Sequence, residues 1–257
     1  MHIRDLFDLT GRTAIVTGGG RGLGEQIATG FAEAGANIVV CSRKVEVCAE
    51  VAMHLEELGV ETLALPCDIT NPDDVQAVVA KTVERFGIID ILVNNSGATW
   101  GAPVTELTLA AWKKVIDTNV TGTFLMSQAV GKVMIEQRSG KIINIASVAG
   151  LGGVDARVMD AIGYNTSKGA VITFTKDLAV KWGPYNIHVN AIAPGFFPTK
   201  MSNALIERGH DLLLAGTPLR RFGSNDDLKG VAVFLASSAS DYVTGDVLIV
   251  DGGSSAQ

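Results

Sequence analysis

The chain has 257 residues, 47% of them hydrophobic, enough for a large core at the upper end of what one domain holds, so a single domain over 1–257 is expected. Its formal net charge is −6 and it has no basic block, which argues against nucleic acid or an anionic membrane as partner. No apolar run approaches the roughly 18 residues that would span a bilayer.

In chain order, the opening MHIRDLFDLTGR carries charges through its apolar positions and reads as neither signal nor transit peptide. The first short β-branched run, TAIVT (13–17), leads into TGGGRGLGEQIA (17–28). There Gly18, Gly22 and Gly24 allow a tight turn and close approach of backbone to a pyrophosphate, and the helix N-terminus offers free N–H groups to an anion. Leu23, Ile27 and Phe31 mark that helix. The second strand, NIVVC (37–41), ends at Ser42 and Arg43, where a site selective for NAD usually carries an acid. With Arg21 as a second cation, this pair accommodates a ribose 2′-phosphate, so NADP(H) is expected in preference to NAD(H). Both arginines could also be ordinary surface residues.

Val47, Val51, Leu55 and Leu58 mark a second helix, TLALP (62–66) a strand, and Val75, Val78, Val79, Val83 and Phe86 a third helix. IDILVN (89–94), KIINIA (141–146), HVNAIA (188–193) and DVLIV (246–250) complete seven strands. Apolar strands joined by amphipathic crossovers imply a parallel sheet covered on both faces: a doubly wound α/β fold in three layers. In AIGYNTSKGAV (161–171), Tyr164 and Lys168 stand four apart and hence on one helix face. The amphipathic insert 196–222 follows the sixth strand. Ligands sit beyond strand carboxyl ends in such sheets, so it reads as a lid, or else as a packed helix pair at a subunit contact. Cys41, Cys48 and Cys67 lack CxxC spacing and suggest free thiols in a reducing, cytoplasmic setting. The four histidines lack metal-ligand spacing, and no metal is expected.

Over its whole length the sequence resembles the short-chain dehydrogenase/reductase family, a Rossmann-type fold. The match rests on TGGGRGLG, CDIT (67–70), NNSG (94–97), Asn119 in DTNV, Ser147 in IASV, YNTSK, and PGFFPT (194–199). The resemblance implies a catalytic set of Asn119, Ser147, Tyr164 and Lys168. It implies cofactor contacts at Gly18, Arg21, Gly22, Leu23, Gly24, Ser42, Arg43, Asp68, Ile69, Asn95, Ser96, Gly97, Tyr164, Lys168, Pro194, Gly195, Phe197 and Thr199. Asp68 would meet the adenine amine, Asn94 to Gly97 the sugars, and Ile192 to Gly195 with the hydroxyl and amide of Thr199 the nicotinamide end. Ser147 would hold a carbonyl oxygen against the Tyr164 phenol, which donates a proton as hydride arrives. The Lys168 ammonium would favour phenolate and bind the nicotinamide ribose, and Asn119 would support a proton relay.

The sequence departs from the family in placing sixteen residues (148–163) between Ser147 and Tyr164. The extra length, with Asp155, Arg157 and Asp160, either shapes the pocket or makes a subunit contact. Trp100 is a candidate pocket wall, and Arg208, His210, Arg220 and Arg221 are candidates to receive an anionic substrate. The small-molecule substrate expected first is a 3-oxoacyl thioester or similar β-keto compound; the alternative is a sugar acid such as the gluconate/5-keto pair. A non-catalytic nucleotide sensor is a third reading. The resemblance also implies a homotetramer paired through the YNTSK helix, where 169–180 is largely apolar, and through the last strand.

Overall fold

The computed structural model describes residues 2–256. After a short helix α1 (Ile3–Leu6) come β1 (Thr13–Thr17), α2 (Gly22–Glu33), β2 (Asn37–Ser42), α3 (Val45–Glu56), β3 (Thr62–Pro66), α4 (Pro72–Phe86) and β4 (Ile91–Asn94). The second half adds α5 (Leu109–Ile116), α6 (Gly122–Gln137), β5 (Gly140–Ile145), α7 (Ile162–Trp182), β6 (Ile187–Pro194), α8 (Asn203–Ala215), α9 (Lys229–Ala236) and β7 (Val247–Val250). All seven strand-like runs pair in one parallel sheet ordered β3-β2-β1-β4-β5-β6-β7. The winding reverses between β1 and β4, so the loops after these strands diverge and open a crevice at the carboxyl edge.

Strand alternation sends neighbouring residues to opposite faces. From β1, Ala14 and Val16 join Ile27, Phe31, Val40 and Leu235 on one face, while Ile15 joins Val39, Leu92, Val130 and Met134 on the other. Each fully buried side chain of this size contributes roughly 1.5–3 kcal/mol. The sheet therefore gives a rigid floor from which loops can project.

Local chemistry fixes several helix ends. Asn71 caps α4 by accepting from the Asp73 amide, Pro72 begins it, and left-handed Gly87 (φ 75°) ends it. A π-helical turn at Asp117–Thr121 separates α5 from α6. Ser147 starts a 3-10 turn, Val148–Gly150, and the extra residues then run without helix until α7. α8 is kinked at Gly209 (φ −117°, ψ 17°). Among the described residues no helix is long and apolar enough to cross a membrane.

Candidate active site

A cleft of about 1590 Å³ lies along the carboxyl edge of the sheet, from Ser42, Arg43 and Asp68 past the glycine loop to Ser147, Tyr164 and α8. Its charge is unlike that of the chain: nine of the 21 lysines and arginines line it, against three of the 27 acids. Two of these cations, Arg157 and Lys229, are paired with acids just outside the lining, and the surplus that remains draws anions.

The glycine loop is shaped to receive one. Gly18 (φ 64°) and Gly22 (φ 58°) adopt left-handed conformations, and the Gly18 amide donates to Cys41 O at 2.8 Å. A Cβ at Gly24 would fall 2.5 Å from Gly18 O, so only glycine lets α2 close onto the turn. The α2 N-cap, Arg21, makes no side-chain capping bond, which leaves the helix N-terminal amides open to a pyrophosphate. These features fit a dinucleotide. Thr17 holds the two loops together: its hydroxyl accepts from the Asn95 and Ser96 amides, both at 3.0 Å, and the Asn95 Nδ2 donates to Thr17 O at 2.9 Å.

Several expected contacts need correction. Gly24 lies beneath the cleft rather than in its lining, and Asn94 turns inward, donating to Ser127 and Asn144. Ile192 and Ala193 are wholly buried in the sheet, whereas Pro194 and Gly195 reach the cleft. The Ser42 hydroxyl is occupied by its own turn, donating to Lys44 O and accepting from the Lys44 amide and Cys48 Sγ. Thr199 lines the cleft as expected, with its amide and hydroxyl both engaging Ser202 Oγ at 2.9 Å. Asp68 is where the sequence puts it: Oδ1 accepts from the Thr70 amide and hydroxyl, which hold the carboxyl below its ordinary value, and Asn71 does the helix capping. Arg21, Gly22, Leu23, Arg43, Ile69, Asn95, Ser96, Gly97 and Phe197 all line the cleft.

Three of the four expected catalytic residues meet in the cleft, and the fourth stands behind them. Ser147 is hydrogen-bonded to the Tyr164 hydroxyl, and Lys168 Nζ donates to Ile145 O at 2.6 Å while lying 5.6 Å from the Tyr164 ring centroid. Burial pushes the Tyr164 phenol up, opposed by the Ser147 hydrogen bond. The Lys168 ammonium points at a backbone carbonyl, and burial brings it down to about 8. Asn119, 1% exposed, does not line the cleft. Its Oδ1 accepts from the Ala98 amide (2.7 Å), and its Nδ2 donates to Ala98 O (2.9 Å) and Ser167 Oγ (2.8 Å). Ser167 in turn donates to Tyr164 O (2.7 Å). A π turn widens the helix to let Asn119 clamp the β4 loop onto α7.

Sequence reasoning does not single out Thr17, Ser167 and Gly150 as site residues. Thr17 and Ser167 fall inside motifs read for their other members, and only the fold supplies their partners. A Cβ at Gly150 would lie 2.6 Å from the Lys168 carbonyl carbon, so the turn after Ser147 rests directly on the α7 backbone.

Part of 148–163 forms the outer wall of the cleft. Val154 and 156–161 line the cleft, and the Ala102 amide donates to Asp160 O at 2.9 Å. Arg157 is paired with Asp155 at 2.7 Å. Trp100 is half-exposed beneath Lys114 and outside the lining. Of the candidate cations after β6, Arg208 alone lines the cleft. Arg220 donates to Leu214 O and Ala215 O, Arg221 pairs with Asp227, and His210 pairs with Asp211.

Residues 18–255 match the sequence profile of a family described as enoyl-(acyl carrier protein) reductase. The chain is 39% identical over 253 residues to a 5-keto-D-gluconate 5-reductase of Escherichia coli, covering 98% of each. It is 38% identical over 247 residues to a 3-oxoacyl-[acyl-carrier-protein] reductase of Synechocystis, covering 95% of this chain and 97% of the relative. A solved gluconate 5-dehydrogenase from Burkholderia cenocepacia, in complex with NADP and tartrate, superposes with a TM-score of 0.94 at 39% identity, covering 100% of both chains.

Proposed function

The chain is an oxidoreductase of the short-chain dehydrogenase/reductase family, and from that premise we propose that it interconverts a keto sugar acid of the gluconate type and its hydroxy acid with NADP(H). The observation that carries this reading is the cationic lining of a cleft in an acidic chain. Whole-length similarity to the 5-keto-D-gluconate reductase and the NADP-bound gluconate dehydrogenase supports it. The 3-oxoacyl thioester reading ranks second, because Arg220 and Arg221, which could have met a carrier's phosphates, are committed to a helix end and to Asp227.

In this reading Arg43 and Arg21 receive the 2′-phosphate, Asp68 the adenine, and the Gly18–Gly22 loop the pyrophosphate. A bound nicotinamide supplies or accepts the hydride. The Ser147 hydroxyl holds the substrate oxygen beside the Tyr164 phenol, which gives its proton in reduction and recovers it in oxidation. Lys168, anchored on Ile145 O, binds the nicotinamide ribose and replenishes the phenol proton. Asn119 acts by position, clamping the Ala98 loop to α7. Segment 196–222 works as a lid over one domain spanning 1–257. Three free, buried cysteines among the described residues support a reducing, cytoplasmic setting.

The test is NADPH oxidation with 5-keto-D-gluconate and, in parallel, acetoacetyl-CoA. Turnover with the keto acid, lowered roughly a thousandfold in Tyr164→Phe, is expected; faster turnover of the thioester would overturn the substrate assignment. In the same assay Arg43→Ala raises KM for NADPH more than for NADH. Ser42→Ala leaves that ratio nearly unchanged, because its hydroxyl is already used within the turn.

A further inference from the structure

We propose that Arg208, on the first half of α8, is the specificity-determining residue that receives the substrate's carboxylate. The proposal rests on the keto sugar acid reading above and names the group that recognises the acid. All of the cleft's other cations except Lys200 have work elsewhere. Arg21, Arg43 and Lys44 stand at the end of β2 and the glycine loop, and Lys229 is paired with Glu33 and Asp226. Lys168 is bonded to Ile145 O, the Arg157 charge is neutralised by Asp155, and Lys114 lies over the Trp100 ring.

Arg208 differs from them. Its Nε donates to Ala204 O at 3.2 Å, one turn back on its own helix, which fixes the stem of the guanidinium. Both terminal nitrogens have no protein partner among the described residues, and the side chain is exposed in the cleft. A guanidinium held by Nε presents its terminal N–H groups as a fork that matches a carboxylate. Arg208 is also the last residue before the kink at Gly209, so an anion bound there meets α8 where its backbone departs from helix. Lys200 is the other unpaired cation of this wall, but an ammonium is a point charge without the planar fork.

The experiment is calorimetric titration of gluconate, and separately of its uncharged counterpart glucitol, into enzyme saturated with NADPH. With reduced cofactor present, neither alcohol can react, so binding is read without turnover. The expected result is that gluconate binds the parent protein at least tenfold more tightly than glucitol. Arg208→Met removes that preference, Arg208→Lys restores part of it, and Lys200→Met changes it little. Glucitol and NADPH affinities stay unchanged in every variant, which also shows that the variants are folded. In turnover of 5-keto-D-gluconate, Arg208→Met raises KM at least tenfold with kcat nearly unchanged, as loss of a charge-assisted hydrogen bond implies. A gluconate preference that survives Arg208→Met, or its absence from the parent protein, overturns the assignment. Tight, Arg208-dependent gluconate binding without turnover of the keto acid would uphold it while overturning the proposed reaction.

Discussion

Tyr164 and Lys168 are both moved by burial, and in opposite directions. The phenol is raised above its ordinary value and the ammonium lowered to about 8, so below pH 8 the pair is phenol plus ammonium. Loss of one proton gives either phenol with amine or phenolate with ammonium, and these share one macroscopic step. In the proposed mechanism alcohol oxidation draws on the second form, so its kcat/KM is expected to rise as pH approaches about 8. Without the ammonium the phenol titrates alone at its burial-raised value, so Lys168→Met moves tyrosinate formation to higher pH. Ultraviolet titration, taken as the difference from Tyr164→Phe, reads this directly, and an unmoved midpoint would refute the coupling. Residue identities at this scale were legible in sequence, because spacing alone puts Tyr164 and Lys168 on one face. What each polar atom is bonded to was not: nothing in IASV or VVCSRK reveals that Ser147 reaches Tyr164 or that Ser42 is occupied.

At the scale of elements, the site depends on close approach of backbones. The 3-10 turn Val148–Gly150 carries Ser147 and lies on α7 at Lys168 and Gly169, with no space for a methyl at Gly150. Gly150→Ala therefore costs about 1–3 kcal/mol by overpacking and shifts Ser147 from Tyr164, lowering kcat more than NADPH affinity. Gly152, where an added methyl would meet nothing within 4 Å, serves as control: Gly152→Ala stays within about 0.5 kcal/mol. Thermal unfolding and kcat of the two variants check this, and equal effects would refute it. Apolar periodicity predicted the strands and the first three crossover helices correctly because burial on a sheet face dictates that pattern. The segment 148–163 has no such period, so its place in the cleft wall had to come from the fold.

For the whole molecule, the homotetramer implied by family resemblance remains a proposal, and the structure narrows its surfaces. Within 169–180, Val171, Leu178 and Ala179 already pack inside the chain, so only part of that run's apolarity is available to a partner. Val180 on α7 (80% exposed), Phe124 on α6 and Ile249 on β7 are large apolar side chains at the surface. Sedimentation at micromolar concentration is expected to give four times the 26.9 kDa of one chain, and Val180→Asp to weaken that assembly. A species of one chain's mass in the parent protein would refute it.

The sequence by itself determined the seven-stranded doubly wound sheet, the glycine loop, and the identity of the Ser147, Tyr164 and Lys168 set. The sheet, the loop and the Tyr164–Lys168 pair are written in local spacing: a period of two or 3.6 residues, glycines where a turn needs them, two side chains one helical turn apart; Ser147 was named only through the family resemblance. Only the tertiary structure decided that Asn119 is a clamp, that Asn94 and Ile192 face inward, and that of Arg208, His210, Arg220 and Arg221 only Arg208 lines the cleft. Those outcomes depend on partners distant in the chain or on competition among nearby acceptors, and a side chain's identity does not encode which partner reaches it first.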